Sequence, residues 1–185
     1  MAKKRGNDCY RTLKRPYTRK SKYKKHMYIR GGVPNKKTVK FDMGESNVNF
    51  PMRVSMFTLQ SATLLDNSIE AARQTANKYL LTIFGGKAEG FHFKIKVYPH
   101  HVVRINPIAM GAGADRYSTG MAQSYGKPTN IAARIRAGQE IMYIELDADK
   151  EKVAREALRK ASCKLCIKTY VEVTKKPAKV PVMNQ

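Results

Sequence analysis

The sequence predicts an α+β domain in which two helices pack on a largely antiparallel sheet, with a basic extended N-terminal arm and a long central loop attached. Three observations predict it. Two stretches, 61–81 and 149–161, repeat apolar residues at helical spacing, and about six or seven others alternate apolar and polar residues as strands do. Helices and strands do not alternate regularly, which argues against a doubly wound parallel sheet. Residues 1–40 and 106–130 fit neither pattern, and they carry the functional signal.

The arm comes first. Among residues 1–40 fifteen are Lys or Arg and one, Asp8, is acidic, so +14 of the chain's net +22 lies there. Aliphatic residues are few, and Tyr10, Tyr17, Tyr23 and Tyr28 dominate the apolar content. Such a segment cannot build a core of its own. A solvated tail is the plainer alternative. The interleaved rings favour nucleic acid, because Tyr stacks on bases or ribose while Lys and Arg neutralise phosphates. Arg5, Arg11, Lys14, Arg15, Arg19, Lys20, Lys22 and Arg30 are the candidate phosphate contacts, and Tyr10, Tyr17 and Tyr23 the candidate stacking residues.

The composition changes after Lys37. Residues 38–43 read as a short strand ended by Gly44, and 52–59 alternate as a second strand. Residues 61–81 read as a helix with a stripe at Leu65, Ile69, Ala72, Ala76 and Tyr79, broken by Gly85 and Gly86. Phe91 to Tyr98 is the clearest strand. Phe91, Phe93, Ile95 and Val97 face one way, toward the core, and His92, Lys94, Lys96 and Tyr98 form a basic second face directed to RNA or water. Pro99 ends it, and 101–105 begin another strand. Residues 131–136 and 140–146 read as a hairpin around Ala137 and Gly138. Asp149 is placed to cap the second helix, with Glu151 in its first turn and Arg159 and Lys160 near its end, as the helix dipole favours. Its stripe is Val153, Ala157, Leu158 and Ala161. Residues 166–173 close the domain as a strand. The organisation is thus an RNA-binding arm at 1–37, one domain at 38–173, and a tail at 174–185.

Residues 106–130 hold four Gly, two Pro and only three charges, Asp115, Arg116 and Lys127. A structureless loop this long inside a compact domain is usually functional or disordered. Its small residues let backbone approach another surface closely. A loop made only for phosphate affinity would carry more cations. This one suits a crowded place where charge is already balanced.

Little else asks for chemistry. Gly111-Ala112-Gly113 begins like a dinucleotide fingerprint, but Arg116 stands where the third Gly belongs, and neither a following helix nor a βαβ setting is expected. Gly126-Lys127-Pro128 fails as a phosphate loop at its last position. Cys163 and Cys166 have metal-ligand spacing, yet no second Cys pair exists, and Cys9 and the four His are scattered. His100-His101 lacks a recognisable nucleophile and orienting acid, and the acids are too dispersed to suggest a general acid–base pair. No metal or cofactor is expected. Three Cys resemble no secreted disulfide framework and suggest a reducing compartment. No signal peptide, membrane span or amphipathic membrane helix is read. The competing functional classes are an RNA-binding assembly factor and an RNA-acting enzyme built around His100 and His101.

Particular residues then carry a resemblance. Ala112-Gly113-Ala114-Asp115-Arg116, Thr119-Gly120-Met121 and Gly126-Lys127-Pro128 strongly resemble the central loop of a universal large-subunit ribosomal protein family, called L-sixteen in bacteria and L-ten-e in archaea and eukaryotes. Cys9-Tyr10-Arg11, Arg15-Pro16-Tyr17, residues 30–34, 70–73 with 76–79, 90–92, 99–106, 133–134 with 138–139, and 156–159 are similar to it too. The resemblance spans about Cys9 to Val173. The loop and arm look like the archaeal and eukaryotic branch, and the short Lys-rich C-terminal stretch looks archaeal.

The resemblance implies an α/β-hammerhead fold and a structural, non-catalytic role in cytoplasmic ribosomes. The protein would sit near the base of the central protuberance, on large-subunit rRNA. Its loop would point toward the peptidyl-transferase region and tRNA near the aminoacyl site. Neighbouring large-subunit proteins and late assembly factors would be further partners, with no membrane among them. Arg104, Arg134 and Arg136 flank the loop's roots and would anchor them to rRNA. Ala112, Gly113, Ala114, Asp115, Arg116, Thr119, Gly120, Met121, Gly126 and Lys127 would lie near tRNA and the peptidyl-transferase region, and Arg116 and Lys127 are the loop's two cations.

Overall fold

The computed structural model describes residues 32–105, 111–117 and 127–175. Among them eight strands form two antiparallel sheets. The first has five strands in the order β1 (Asp42–Gly44), β4 (Phe91–Ile95), β7 (Glu140–Leu146), β2 (Met52–Thr58) and β8 (Thr169–Lys175). The second has three, in the order β3 (Ala62–Leu65), β6 (Lys127–Ile135) and β5 (His101–Ile105). Two long helices, α1 (Asp66–Ile83) and α3 (Glu151–Ser162), pack on each other and on one face of the larger sheet. A single helical turn, α2, spans Ala114–Tyr117. The α+β class read from the sequence is the class observed.

The core lies between the helices and the five-stranded sheet. Met52, Val54 and Met56 of β2, Phe91, Phe93 and Ile95 of β4, and Met142, Ile144 and Leu146 of β7 meet Ile69, Ala72, Ala76 and Leu80 of α1 and Ala154, Ala157, Leu158 and Ala161 of α3. The small residues in both helices let them approach closely, and this is why α1 touches β3, β4 and β6 as well as α3. The Lys160 ammonium lies 3.5 Å from the Tyr79 ring centre, tying the helices at their rim. Arg159 and Lys160 lie in the last turn of α3 and Glu151 in its first, as the dipole favours.

Four local readings change. Residues 62–65 are strand, not the start of α1, because they pair with Ala132–Ile135 of β6 and leave no helical carbonyls for the next turn. Residues 131–136 and 140–146 do not pair as a hairpin: β6 belongs to the smaller sheet and β7 to the larger. Thr58 holds this crossing corner, its hydroxyl donating to the Arg136 carbonyl at 2.7 Å and its own carbonyl accepting from the Gly138 amide at 2.8 Å. Asp149 does not cap α3 but sits inside a 3-10 turn at Ala148–Lys150 that leads into it. Lys127 to Asn130 are strand, so the C-terminal root of the central segment begins four residues earlier than read.

Gly44 closes the edge of the larger sheet. Its φ is +83°, and a Cβ there would stand 2.1 Å from the Phe91 carbonyl oxygen, which already accepts the Glu45 amide at 2.9 Å. Gly44→Ala is therefore expected to cost about 2 kcal/mol, from left-handed strain and a displaced ladder bond. Thermal unfolding checks this, and an unchanged melting temperature would show that the edge yields freely.

Candidate nucleic-acid interface

The chain leaves the smaller sheet at Ile105 and re-enters it at Lys127, and these two residues are register partners. The two roots of the central segment are thus held side by side by β5 and β6. A register shift between Val103 and Arg104 twists this end, and the Thr129 hydroxyl donates to the Val103 carbonyl at 3.2 Å to fix it. Arg104 lies opposite Pro128 and adjoins the roots, whereas Arg134, opposite Thr63 of β3, and Arg136 stand at and just beyond the other end of β6 and do not flank the roots as read, because β6 already begins at Lys127. Lys127, Arg134 and Arg136 are exposed and Arg104 half-buried. Between residues 96 and 139 there are six Lys and Arg and one acid, Asp115. A framework of paired strands carrying cations with so few acids nearby suits a phosphate backbone.

His101 lies within this framework, opposite Ala132, and is 1% exposed. Burial, with Arg134 and His100 beside it, holds its pKa down to about 4, so the imidazole is neutral at ordinary pH. His100 is exposed, and its Nδ1 lies 2.9 Å from the Tyr98 carbonyl.

Of the central segment, residues 111–117 are described. Gly111 (φ +138°) and Gly113 (φ +76°) shape a turn into α2, where the Ala114 and Arg116 amides donate to the Gly111 and Gly113 carbonyls at 3.1 Å each. A Cβ at either glycine would meet nothing, so it is the backbone angle that calls for glycine there. Ala112 and Arg116 are exposed, and Gly113 and Ala114 half-exposed. One helical turn does follow these glycines, but it lies between antiparallel strands and not in a βαβ unit. Thr119, Gly120, Met121 and Gly126 lie outside the described residues, as do the arm candidates from Arg5 to Arg30.

The second face of β4 is not the basic surface that alternation alone suggests. Lys94 sits 2.8 Å from the Asp42 carboxylate, and Lys96 sits 3.3 Å from Glu140. His92 hydrogen-bonds Asp42 and lies 3.5 Å from Glu145. Burial pushes the Asp42 and Glu140 carboxyls up. Hydrogen bonds from Lys94 and His92 to the first, and from Arg53 and Ser55 to the second, outweigh it and hold both below the usual carboxylate range. The chain supplies its own counter-ions here. The signal was the acids at 42, 140 and 145, but only the strand order brings them to β4.

Cys163 and Cys166 are exposed, unbridged thiols just beyond α3. Among the described residues no three His, Cys, Asp or Glu converge on a metal position, and no helix is long and apolar enough to cross a membrane.

Residues 16–172 match the family described as ribosomal protein L16p/L10e. The large ribosomal subunit protein uL16 of Methanococcus maripaludis strain C7 is 42% identical over 168 residues, covering 90% of this chain and 92% of that one. The uL16 protein of Archaeoglobus fulgidus is 37% identical over 166 residues, covering 90% of each.

Proposed function

The chain belongs to the ribosomal protein L16p/L10e family and is a structural constituent of the large ribosomal subunit, not an enzyme; on that premise we propose that it grips rRNA with its arm and its smaller sheet and directs its central segment at tRNA. It works in cytoplasmic ribosomes of the archaeal type, beside rRNA and other ribosomal proteins.

The observation that carries the finer reading is the acid-poor cationic stretch carried by β5 and β6, with Arg104 and Lys127 at the roots of the central segment and Arg134 and Arg136 at the opposite end of β6. Arg104 beside the roots, and Arg134 and Arg136 at the other end of β6, hold the smaller sheet to rRNA near the base of the central protuberance. Residues 1–37 thread along rRNA, with their Lys and Arg on phosphates and Tyr17 and Tyr23 on bases or ribose. Residues 38–173 form the domain that aims Arg116 and Lys127 at the RNA backbone near the peptidyl-transferase region. Ala112, Gly113, Ala114, Asp115, Thr119, Gly120, Met121 and Gly126 supply small or flexible backbone beside the tRNA acceptor arm, and the same surface meets assembly factors as the subunit matures.

The test is sedimentation of lysate through a high-salt gradient, with this chain quantified against other subunit proteins. Stoichiometric comigration with large subunits and translating ribosomes is expected. Signal on immature particles alone would favour an assembly factor, and signal at the top of the gradient an enzyme. In direct binding to large-subunit rRNA, Arg134→Ala should weaken affinity and flatten the log–log salt slope by roughly 0.7–0.9.

A further inference from the structure

The face of the five-stranded sheet turned away from the helices is built in cross-strand rows. One row runs His92, Glu145, Arg53, Thr174, and the next runs Asp42, Lys94, Tyr143, Ser55, Glu172. A register shift between Met56 and Phe57 sets Glu140 opposite Phe57, and its carboxylate joins this face, 2.5 Å from Arg53, 2.7 Å from the Ser55 hydroxyl and 3.3 Å from Lys96. The Arg53 guanidinium lies flat over Tyr143, 3.6 Å from the ring centre. Phe57 and Tyr170 stack beside it with centroids 5.5 Å apart.

Four carboxylates (Asp42, Glu140, Glu145, Glu172) thus face three fixed cations (Arg53, Lys94, Lys96) in a chain of net charge +22. The inner ions are already paired and mostly shielded, with Arg53 at 23%, Glu140 at 16% and Glu145 at 9% side-chain exposure. The charges open to the outside are Asp42 with its partner Lys94, Lys96 beside them, and Glu172 near the opposite edge of the sheet. Glu172 makes no ion pair among the described residues. A phosphate backbone laid here would meet carboxylates whose cations are spoken for. A cationic protein segment would meet the Glu172 carboxylate beside the stacked Phe57 and Tyr170 rings, and Asp42 only as a partner already shared with Lys94 and His92, at little new desolvation of the inner pairs.

We infer that this face docks a Lys- and Arg-bearing segment of a neighbouring large-subunit protein, while rRNA takes the smaller sheet and the arm. The inference rests on the function proposed above and adds a division of labour between the two sheets.

The test uses purified large subunits carrying the full chain. A photo-crosslinking benzoylphenylalanine in place of Glu172 should form an adduct with a Lys- and Arg-rich peptide of another subunit protein, identified by mass spectrometry. A free-radical source tethered through Glu172→Cys, with Cys9, Cys163 and Cys166 replaced by Ser, should leave rRNA uncut, whereas the same source at Lys127→Cys should cut it. Charge reversal gives the sign. Glu172→Lys should lower retention of the chain in salt-washed subunits, and it should raise retention if RNA lies there. Cleavage of rRNA from position 172, or neither adduct nor cleavage there, overturns the docking while cleavage from 127 leaves the rRNA reading intact. Silence at both positions removes that reading and the docking with it.

Discussion

Replacing Phe93 with Ala will cost the free domain about 3–5 kcal/mol of stability, and replacing Arg116 with Ala will change it by less than about 0.5 kcal/mol. Phe93 is fully buried at the centre of β4, with Met43 and Ile144 as its register partners. Its removal deletes apolar burial and leaves a void in a core that α1 and α3 already fill with small residues, so collapse is limited. Against a typical total of about 5–15 kcal/mol, the loss is a large fraction of what holds the domain folded. Arg116 is exposed on a single helical turn outside that core. Urea unfolding of the purified chain separates the two. The Arg116 variant should instead impair translation or subunit maturation. A urea midpoint lowered as far by Arg116→Ala as by Phe93→Ala would make residues 111–117 structural and defeat the site reading.

How far the sequence could be read follows from how local each signal is. The buried stripe of β4 was legible because period two needs only one strand: Phe91, Phe93 and Ile95 are all fully buried. The stripe of α1 was legible at Ile69, Ala72 and Ala76, although Leu80 takes the buried place expected of Tyr79, which is half-buried at the rim. Periodicity failed at 62–65, where Leu64 and Leu65 continue a helical rhythm that a ladder to β6 overrides. Nothing near residue 136 announces that β6 and β7 part into different sheets, since the partners that decide it, β2, β3, β4 and β5, are distant in sequence. The charge of the β4 face was misread for the same reason. The cations are local to one strand, and the acids that neutralise them arrive from β1 and β7. The charge of Arg104, Arg134 and Arg136 was legible, but not that β6 begins at Lys127 and carries Arg134 and Arg136 away from the roots. What they and the central segment recognise was legible only through the family resemblance.

The domain will also lose stability on acidification well before its carboxylates titrate. His101 has a folded pKa of about 4 against an ordinary value of 6.5, so below 6.5 the unfolded chain binds a proton that the folded chain refuses. The stabilisation is complete above pH 6.5 and is lost as pH falls toward 4, about 3 kcal/mol in all and about 2 kcal/mol of it by pH 5. The depressed carboxyls of Asp42 and Glu140 act in the same direction, but only below about pH 4.5, where unfolded acids take up protons. The interval from pH 6.5 to 5 therefore separates the histidine from the carboxylates, and a variant at position 101 separates it from the other histidines. Denaturant unfolding of the full chain across that interval should show a steep fall that His101→Gln flattens, because Gln fills a similar volume and does not titrate. Parallel losses in both proteins would place the proton elsewhere. The position gives the imidazole its consequence: it sits at the start of β5, at the end of the smaller sheet away from the roots, beside Arg134. A charged imidazole there would push against the cation proposed to hold rRNA, and a neutral His101 avoids that repulsion.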